Sequence, residues 1–596
     1  MALELPLTPA RWSGRDDFTV LDLGFATSRD FLAAWRAWRA DPARPARLHY
    51  IGVQPTPSKP VPDPVDTSLE DLAAELRRRW PPALAGWHPI DLEDGRVRLL
   101  LVFGEMRAVF KSLDVTADDI RLDGSAPWDA QALRALARFA APGATVTARA
   151  ATASVRAGLR SAGFEFEPNG AGEPGTVDEP GPLRGRYAPA PTVRRPRQHG
   201  MGRPGAAVVI GAGLAGGWAA HGLLQQGWSV RVLERRPEPA AEASGNPAGL
   251  FHGTVNADDG PHARFHRADA LLAERTLRPW IENGRVPGRI DGLLRLASEG
   301  DTLDTLQAPI DRHGLPPGYV QAVDAAMASA LAGIALNRPA WFYPGGGWLE
   351  PPALVRHLLR DAEFEGGVEV ERVERDGAVW RLFDAADGIL AETATLVLAN
   401  AAEAMRLWPQ AAWPMGRSRG QLSQWPRPPA DAPHLRRPVA GGGYVLSLAD
   451  GGLLCGATAA AGDEDTTTRT ADHRFNLDRL QQMTGWPGPL PPEGRVGWRA
   501  NTVDRLPLVG PVPASGLAPG QSSTRKPTTQ LLRAEREPGL FVLSGLGARG
   551  LTWGPLAGRM LAAWIGGTPM PVEAELRDAA DPARWLVRAA RRNLQG

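Results

Sequence analysis

The sequence predicts an α/β protein with at least two cores, the second built around a dinucleotide-binding βαβ unit. The chain has 596 residues, which is more than one hydrophobic core normally serves. Residues 207–210 form a short β-branched run typical of a buried strand, and a glycine-rich turn and an Ala/Leu-rich helix follow at once. A second strand over residues 229–233 completes the unit.

The turn between this strand and the helix has the spacing of a dinucleotide fingerprint. Gly211 permits a tight turn, Gly213 lets a pyrophosphate approach the backbone, and Gly216 lets helix and strand pack closely. Glu234 stands where an acid is expected to bind a ribose hydroxyl. Because strands, helix and acid accompany the glycines, a dinucleotide site is favoured over an unrelated glycine-rich turn.

Composition is that of an ordinary globular protein, with 43% hydrophobic and 22% charged residues. The formal net charge is +1, so binding of a nucleic acid would need a local basic patch. A single cysteine, Cys455, excludes an internal disulfide and fits a reducing compartment. No secretory signal or membrane span is predicted, so we expect a cytoplasmic protein.

The first 170 residues alternate between strands and helices, which favours an α/β domain with a parallel sheet. A helix after Gly24 carries Phe31, Leu32, Trp35 and Trp38 on one face. The other predicted elements are strands at 18–21, 48–53, 97–103, 120–122 and 144–148 and helices at 69–80 and 130–140.

Residues 171–204 are predicted to be a linker, because they are rich in Gly and Pro and have no apolar period. The second half of this segment contains six arginines and no acid: Arg184, Arg186, Arg194, Arg195, Arg197 and Arg203. They indicate either a contact with RNA phosphates or a solvated hinge.

The second domain is predicted over residues 205–596. Its middle reads as mixed structure, with strands at 367–375, 379–383, 393–398 and 443–448. This pattern indicates a substrate domain of mixed α+β structure inserted into a doubly wound cofactor domain.

Four further stretches carry a resemblance to one enzyme group. They are A-S-G-N-P-A-G at 243–249, Y-P-G-G-G-W-L at 343–349, G-W-R-A at 497–500 with D-R-L-P-L-V-G at 504–510, and G-L-G-A-R-G-L at 545–551. Together they resemble the amine and amino-acid oxidases that use FAD, the relatives of glycine oxidase. The resemblance implies FAD bound by Gly211, Gly213, Gly216, Glu234, Ser244, Gly245, Asn246, Gly547, Gly550 and Leu551.

The same resemblance implies removal of a hydride from a carbon next to a secondary amine, followed by hydrolysis of the imine. Arg499 and Arg549 would bind the substrate carboxylate, a task that suits a planar guanidinium; the alternative for each is a structural salt bridge. We expect His252, His262 and His266 to serve packing or surface roles, and we expect no metal site.

Read together, the two halves are similar to the family of bifunctional tRNA 5-methylaminomethyl-2-thiouridine biosynthesis proteins. The implied fold is a Rossmann-like methyltransferase-type domain followed by an FAD-binding doubly wound domain. The implied substrate is tRNA. The FAD half would remove the carboxymethyl group from 5-carboxymethylaminomethyl-(2-thio)uridine at wobble position 34, and the other half would methylate the exposed amine with S-adenosylmethionine.

The methyltransferase half departs from the family pattern where its chemistry should lie. The first loop has Ala26 and Ser28 in place of two glycines, and Gln54 replaces the acid expected to bind the adenosine ribose. Asp123, the implied catalytic residue, is retained, but Ser125 replaces an aromatic residue. These departures indicate that methyl transfer is weak or lost.

Two other functions remain open: a free amino-acid or amine oxidase with a non-catalytic N-terminal domain, and a tRNA-binding scaffold with a structural FAD. The sequence does not determine whether 2-thiolation is required, which electron acceptor is used, or the oligomeric state, for which a monomer is one option.

Overall fold

The computed structural model describes residues 9–25, 27–58, 67–123, 127–166, 181–188, 202–491, 493–514 and 530–593. The chain divides into two compact units. One comprises Met1–Gln198 with Thr568–Glu575, and the other His199–Gly567 with Leu576–Gly596. No helix in the described ranges is long and apolar enough to cross a membrane.

The first unit is an eight-stranded sheet with helices between its strands. The strands are β1 (Asp17–Asp22), β2 (Arg47–Gln54), β3 (Gly86–Leu92), β4 (Val97–Phe103), β5 (Ala117–Leu122), β6 (Ala140–Ala151), β7 (Phe164–Phe166) and β8 (Gly181–Tyr187). The helices are α1 (Arg29–Ala40), α2 (Glu70–Arg79), α3 (Met106–Ser112), α4 (Ala130–Leu136) and α5 (Ala153–Ser161).

The strand order is β3-β4-β2-β1-β5-β6-β8-β7. The strands β4, β2, β1, β5 and β6 are parallel, as predicted. The predicted parallel sheet is bounded at both edges by antiparallel pairs, formed by β3, β8 and β7. At the first edge the reason is the short connection between β3 and β4, which suits an antiparallel pair and is too short for a parallel crossover.

Strand β8 lies inside the segment predicted as a linker, and that prediction is wrong for residues 181–187. The strand pairs with β6 and β7. Its burial alternates: Leu183 and Tyr187 are buried, and Arg184 and Arg186 are exposed, as expected for a half-buried strand. Arg194, Arg195 and Arg197 lie outside the described residues.

The second unit contains the remaining elements. The strands are β9 (Ala206–Ile210), β10 (Ser229–Glu234), β11 (Gly249–Phe251), β12 (Gly288–Arg289), β13 (Leu293–Leu296), β14 (Gln321–Val323), β15 (Ala340–Tyr343), β16 (Gly347–Leu349), β17 (Glu363–Gly366), β18 (Arg372–Asp376), β19 (Val379–Phe383), β20 (Ile389–Thr393), β21 (Leu396–Leu398), β22 (Met415–Trp425), β23 (Val439–Ala440), β24 (Tyr444–Ser447), β25 (Leu453–Gly456), β26 (Ala460–Ala461), β27 (Glu493–Thr502), β28 (Leu508–Pro513) and β29 (Arg536–Ser544). The helices are α6 (Leu214–Leu224), α7 (Pro261–Glu282), α8 (Leu303–Arg312), α9 (Ala325–Ala332), α10 (Pro351–Leu359), α11 (Ala404–Leu407), α12 (Thr470–Thr484), α13 (Gly550–Gly566), α14 (Ala574–Ala580) and α15 (Arg584–Asn593); α14 begins within the segment that belongs to the first unit.

A six-stranded sheet of order β17-β10-β9-β21-β29-β28 forms the base of this unit. Its strands are parallel except for β28, which pairs antiparallel with β29. The chain leaves β9 for β10 on one side, whereas β21 lies on the other side. The carboxyl end of β9 is therefore the switch point at which open α/β sheets bind ligands.

A second sheet is built from strands that interrupt the first one in sequence. Its order is β14-β15-β13-β23-β24-β25-β22-β26, with β27 also paired to β22. Most of its pairs are antiparallel. The predicted fold class, a doubly wound domain with an inserted mixed domain, is confirmed.

Candidate active site

A cavity of about 540 Å³ opens in the second unit at the carboxyl end of β9. The first turns of α6 and α13 line it, together with residues of the second sheet. Eight of the ten residues predicted to bind the cofactor contribute to its wall: Gly211, Gly213, Glu234, Ser244, Asn246, Gly547, Gly550 and Leu551. Gly216 and Gly245 do not line the wall; they pack behind it.

Two positions, one in the turn from β9 to α6 and one in the first turn of that helix, need glycine. Gly211 has φ +103°, and a Cβ there would lie 2.8 Å from the Ala399 carbonyl oxygen. At Gly216 a Cβ would overlap the carbonyl oxygen of Gly211. The backbone at the start of α6 is therefore bare, as a diphosphate at a helix N-terminus requires.

Glu234 and Ser244 hold this turn through backbone N–H groups. The Glu234 carboxylate accepts from the N–H of Ala212 at 2.7 Å and from that of Arg236 at 3.0 Å. Ser244 Oγ accepts from the N–H of Leu214, the first residue of α6, at 3.0 Å. A carboxylate has about four lone-pair sites, so Glu234 keeps acceptor capacity for a ribose hydroxyl.

Arg495 fixes the Ser-Gly-Asn turn, a role that the sequence did not indicate. Its guanidinium donates to the carbonyls of Ala241 and Glu242, both at 2.8 Å, and to Asn246 Oδ1 at 3.3 Å. A Cβ on Gly245 would collide with this guanidinium. Gly245 thus supports the cavity wall from behind.

The N-terminus of α13 forms the opposite wall. The helix has 17 residues, and residues 545–552 all line the cavity. No side chain caps its first turn. Its free N–H groups and its dipole therefore favour negative charge in the cavity.

Six arginines line the same cavity, and three of them are considered as ligands for an anionic substrate: Arg295, Arg499 and Arg549. Within the described residues none of these three forms an ion pair. Arg499 Nη1 donates to the Thr458 carbonyl at 3.2 Å. Burial lowers the pKa of Arg499 and of Arg549, but a guanidinium remains charged. Half-buried cations without an ion-pair partner at a cavity favour an anionic ligand. Arg295, in the middle of β13, was missed because no motif surrounds it.

His252 and His266, for which the sequence predicts packing or surface roles, lie beside the cofactor cavity. Both line the cavity, and His266 receives a hydrogen bond from Arg549 Nη1 at 2.9 Å. Burial lowers the pKa of His252 to about 4 and that of His266 well below its ordinary value. His262 packs edge-on against Trp553, in line with a packing role.

These residues fit FAD, with a bare phosphate cradle, an acid for the ribose and a helix N-terminus for a flavin that becomes anionic on reduction. Residues 206–564 match the family described as FAD dependent oxidoreductase, and residues 67–172 match S-adenosyl-L-methionine-dependent methyltransferase.

Relatives that match nearly the whole chain include proteins named tRNA 5-methylaminomethyl-2-thiouridine biosynthesis bifunctional protein MnmC. The protein of Methylibium petroleiphilum is 43% identical, with 97% of this chain and 92% of that protein covered. The chain belongs to this family. The Burkholderia thailandensis member is 36% identical, with 98% and 92% covered. Because residues 206–564 match the FAD dependent oxidoreductase family, the second unit of this chain is an FAD-dependent oxidoreductase.

Solved structures share the fold of this unit. Glycine oxidase from Bacillus cereus superposes with a TM-score of 0.50 at 18% identity, covering 61% of this chain and 95% of that one. L-proline dehydrogenase from P. horikoshii superposes with a TM-score of 0.51 at 18% identity, covering 65% of this chain and 98% of that one.

In the described part of the first unit, two of the positions that the resemblance links to S-adenosylmethionine, after β1 and at the end of β2, are closely packed. Gly24, after β1, abuts Asp123, after β5, so closely that a Cβ would lie 2.8 Å from the Asp123 nitrogen. Gln54 Nε2 donates to the Phe25 carbonyl, and Gln54 Oε1 is buried and has no hydrogen-bond partner among the described residues. Ala26 and residues 124–126, Ser125 among them, lie outside the described residues.

Proposed function

We propose that the domain over residues 205–596 removes the carboxymethyl group from 5-carboxymethylaminomethyl-(2-thio)uridine at the wobble position of tRNA. The product would be 5-aminomethyl-(2-thio)uridine. The observation that carries this proposal is a dinucleotide cradle and three unpaired arginines lining one cavity, in a chain of the family named above. A tRNA substrate implies a cytoplasmic protein.

The reaction joins an oxidation to a hydrolysis. Gly211, Gly213 and Glu234 would hold FAD, which would supply the acceptor for a hydride from the methylene group between the amine and the carboxylate. The amine nitrogen supplies the electron pair of the new C=N bond and loses its proton. Water then adds to the carbon and the C–N bond breaks, which leaves a primary amine on the nucleoside and releases glyoxylate.

The chain's own groups hold the substrate for this step. Arg549 and Arg499 would bind the substrate carboxylate. Because the reacting methylene is attached directly to this carboxylate, it would then be held within the cavity. Their positive charges disfavour the ammonium form of the substrate amine, so its lone pair is available. His252 and His266 are neutral at pH 7 and do not oppose it.

A free amino-acid or amine oxidase is the second candidate, because arginines that bind a carboxylate suit a free amino acid equally well. The two are separated by mixing the yellow holoenzyme anaerobically with glycine, with sarcosine, or with tRNA that carries the modified nucleoside. Flavin bleaching by tRNA supports the proposal. Bleaching by the small amino acids alone would transfer the assignment to the second candidate.

A further inference from the structure

His266 is the side chain that fixes the direction of Arg549. It lies on α7 and is 1% exposed. Its Nδ1 accepts two hydrogen bonds of 2.9 Å, from Arg549 Nη1 and from Trp553 Nε1, and its Nε2 lies 2.9 Å from the His252 carbonyl oxygen. Guanidinium and indole N–H groups only donate, so Nδ1 must be the acceptor and Nε2 carries the proton.

The two donors come from one turn of α13. Arg549 precedes the helix, and the N–H of Trp553 donates to the Arg549 carbonyl at 2.8 Å. The guanidinium also lies 5.5 Å from the centre of the Trp553 ring. In the described part of the chain the Arg549 side chain donates hydrogen bonds to His266 alone. The imidazole therefore determines where the remaining N–H groups of Arg549 point.

A neutral acceptor suits this task better than a carboxylate would. A carboxylate partner would orient the guanidinium but would also neutralise it. An imidazole that stays neutral orients Arg549 and leaves its whole positive charge to the cavity. Burial and the charge of Arg549 both lower the pKa of His266, which keeps Nδ1 free of a proton.

We propose that His266 is a positioning residue whose Nδ1 aims the Arg549 guanidinium at the substrate carboxylate. This inference rests on the carboxylate-binding role of the cavity in the proposed function. It predicts that the acceptor atom matters and that the bulk of the ring does not.

Two amide variants separate the effect of the hydrogen-bond acceptor atom from the effect of the bulk of the ring. In His266→Asn the amide oxygen takes the place of Nδ1 and can accept from Arg549. In His266→Gln the longer amide reaches the place of Nε2 and restores only the contact with His252. His266→Phe keeps the ring and removes both. His473→Asn is the matched control, because that imidazole bonds Ser423 at 2.8 Å and does not line the cavity.

The probe is glycolate, titrated into each purified holoenzyme while the flavin absorption is followed. We expect His266→Gln and His266→Phe to raise the Kd about tenfold to a hundredfold, the effect of one lost charge-assisted hydrogen bond. The Asn variant and the His473 control should stay within about threefold of wild type, all with full FAD content. KM for tRNA should follow the same order.

Equal Kd values for the Asn and Gln variants would overturn the inference, as would wild-type binding by His266→Phe or a wild-type protein that does not bind glycolate. If His266→Phe fails to fold, the Asn and Gln variants decide. If the glycolate Kd values of the wild type and the variants fall in the expected order but the wild-type enzyme does not oxidise the modified tRNA, the proposed function is refuted and the inference about His266 stands.

Discussion

Replacing Arg549 by glutamine removes the cation that we propose binds the substrate carboxylate. A guanidinium has five N–H donors, and His266 occupies one of them. A bidentate contact with the substrate carboxylate would use two more. Each charge-assisted hydrogen bond contributes about 1.5–3 kcal/mol, so the variant should lose about 3–6 kcal/mol of transition-state stabilisation, or roughly two to four powers of ten in kcat/KM.

The assay is steady-state turnover of modified tRNA by holoenzyme, with FAD content measured on the same samples. Arg549→Gln should retain FAD, because no contact with the phosphate cradle changes. Arg549→Lys is the matched variant, because it keeps the charge but cannot bind a carboxylate through two parallel N–H groups. Its kcat/KM should fall between that of the wild type and that of Arg549→Gln. A kcat/KM within threefold of wild type for Arg549→Gln would refute the assigned role.

Three further changes test the cradle and the buried histidine. Glu234→Ala should reduce the FAD bound per protein, measured by absorbance, since the Ala212 N–H and the ribose lose an acceptor; unchanged content would remove Glu234 from the site. Gly216→Ala should lower the unfolding free energy by about 1–3 kcal/mol through overlap with Gly211, and a wild-type denaturation midpoint would contradict this. The pKa of His252 is lowered from 6.5 to about 4 in the folded protein. As the pH falls, this imidazole is therefore protonated in the unfolded chain before it is protonated in the folded one. Stability should be complete above pH 6.5 and fall towards pH 4 by up to about 3 kcal/mol, a slope that His252→Asn should reduce.

Local patterns predicted the cofactor unit well. The strand expected at 207–210 is β9 (Ala206–Ile210), and the helix and second strand follow as α6 and β10. Glycine spacing, strand and helix are all encoded within about 30 neighbouring residues. This is why the doubly wound fold and the cradle residues Gly211, Gly213 and Glu234 could be derived from local patterns. The other five predicted wall residues came from the family resemblance.

Long-range pairing was not predictable in the same way. Strand β8 contains two glycines and two arginines and lacks a strong β-propensity; it forms because β6 and β7 supply partners from earlier in the chain. His266 and Arg549 are 283 residues apart, and no spacing rule joins them. The one available signal was that three histidines follow the Ser-Gly-Asn turn.

The most direct test is incubation of the holoenzyme with tRNA that carries 5-carboxymethylaminomethyluridine, with and without S-adenosylmethionine. Mass spectrometry then identifies the nucleoside at the wobble position. We predict 5-aminomethyluridine in both samples. Unchanged tRNA would contradict the proposed oxidation, and 5-methylaminomethyluridine formed only with S-adenosylmethionine would show that the first unit binds this cofactor after all.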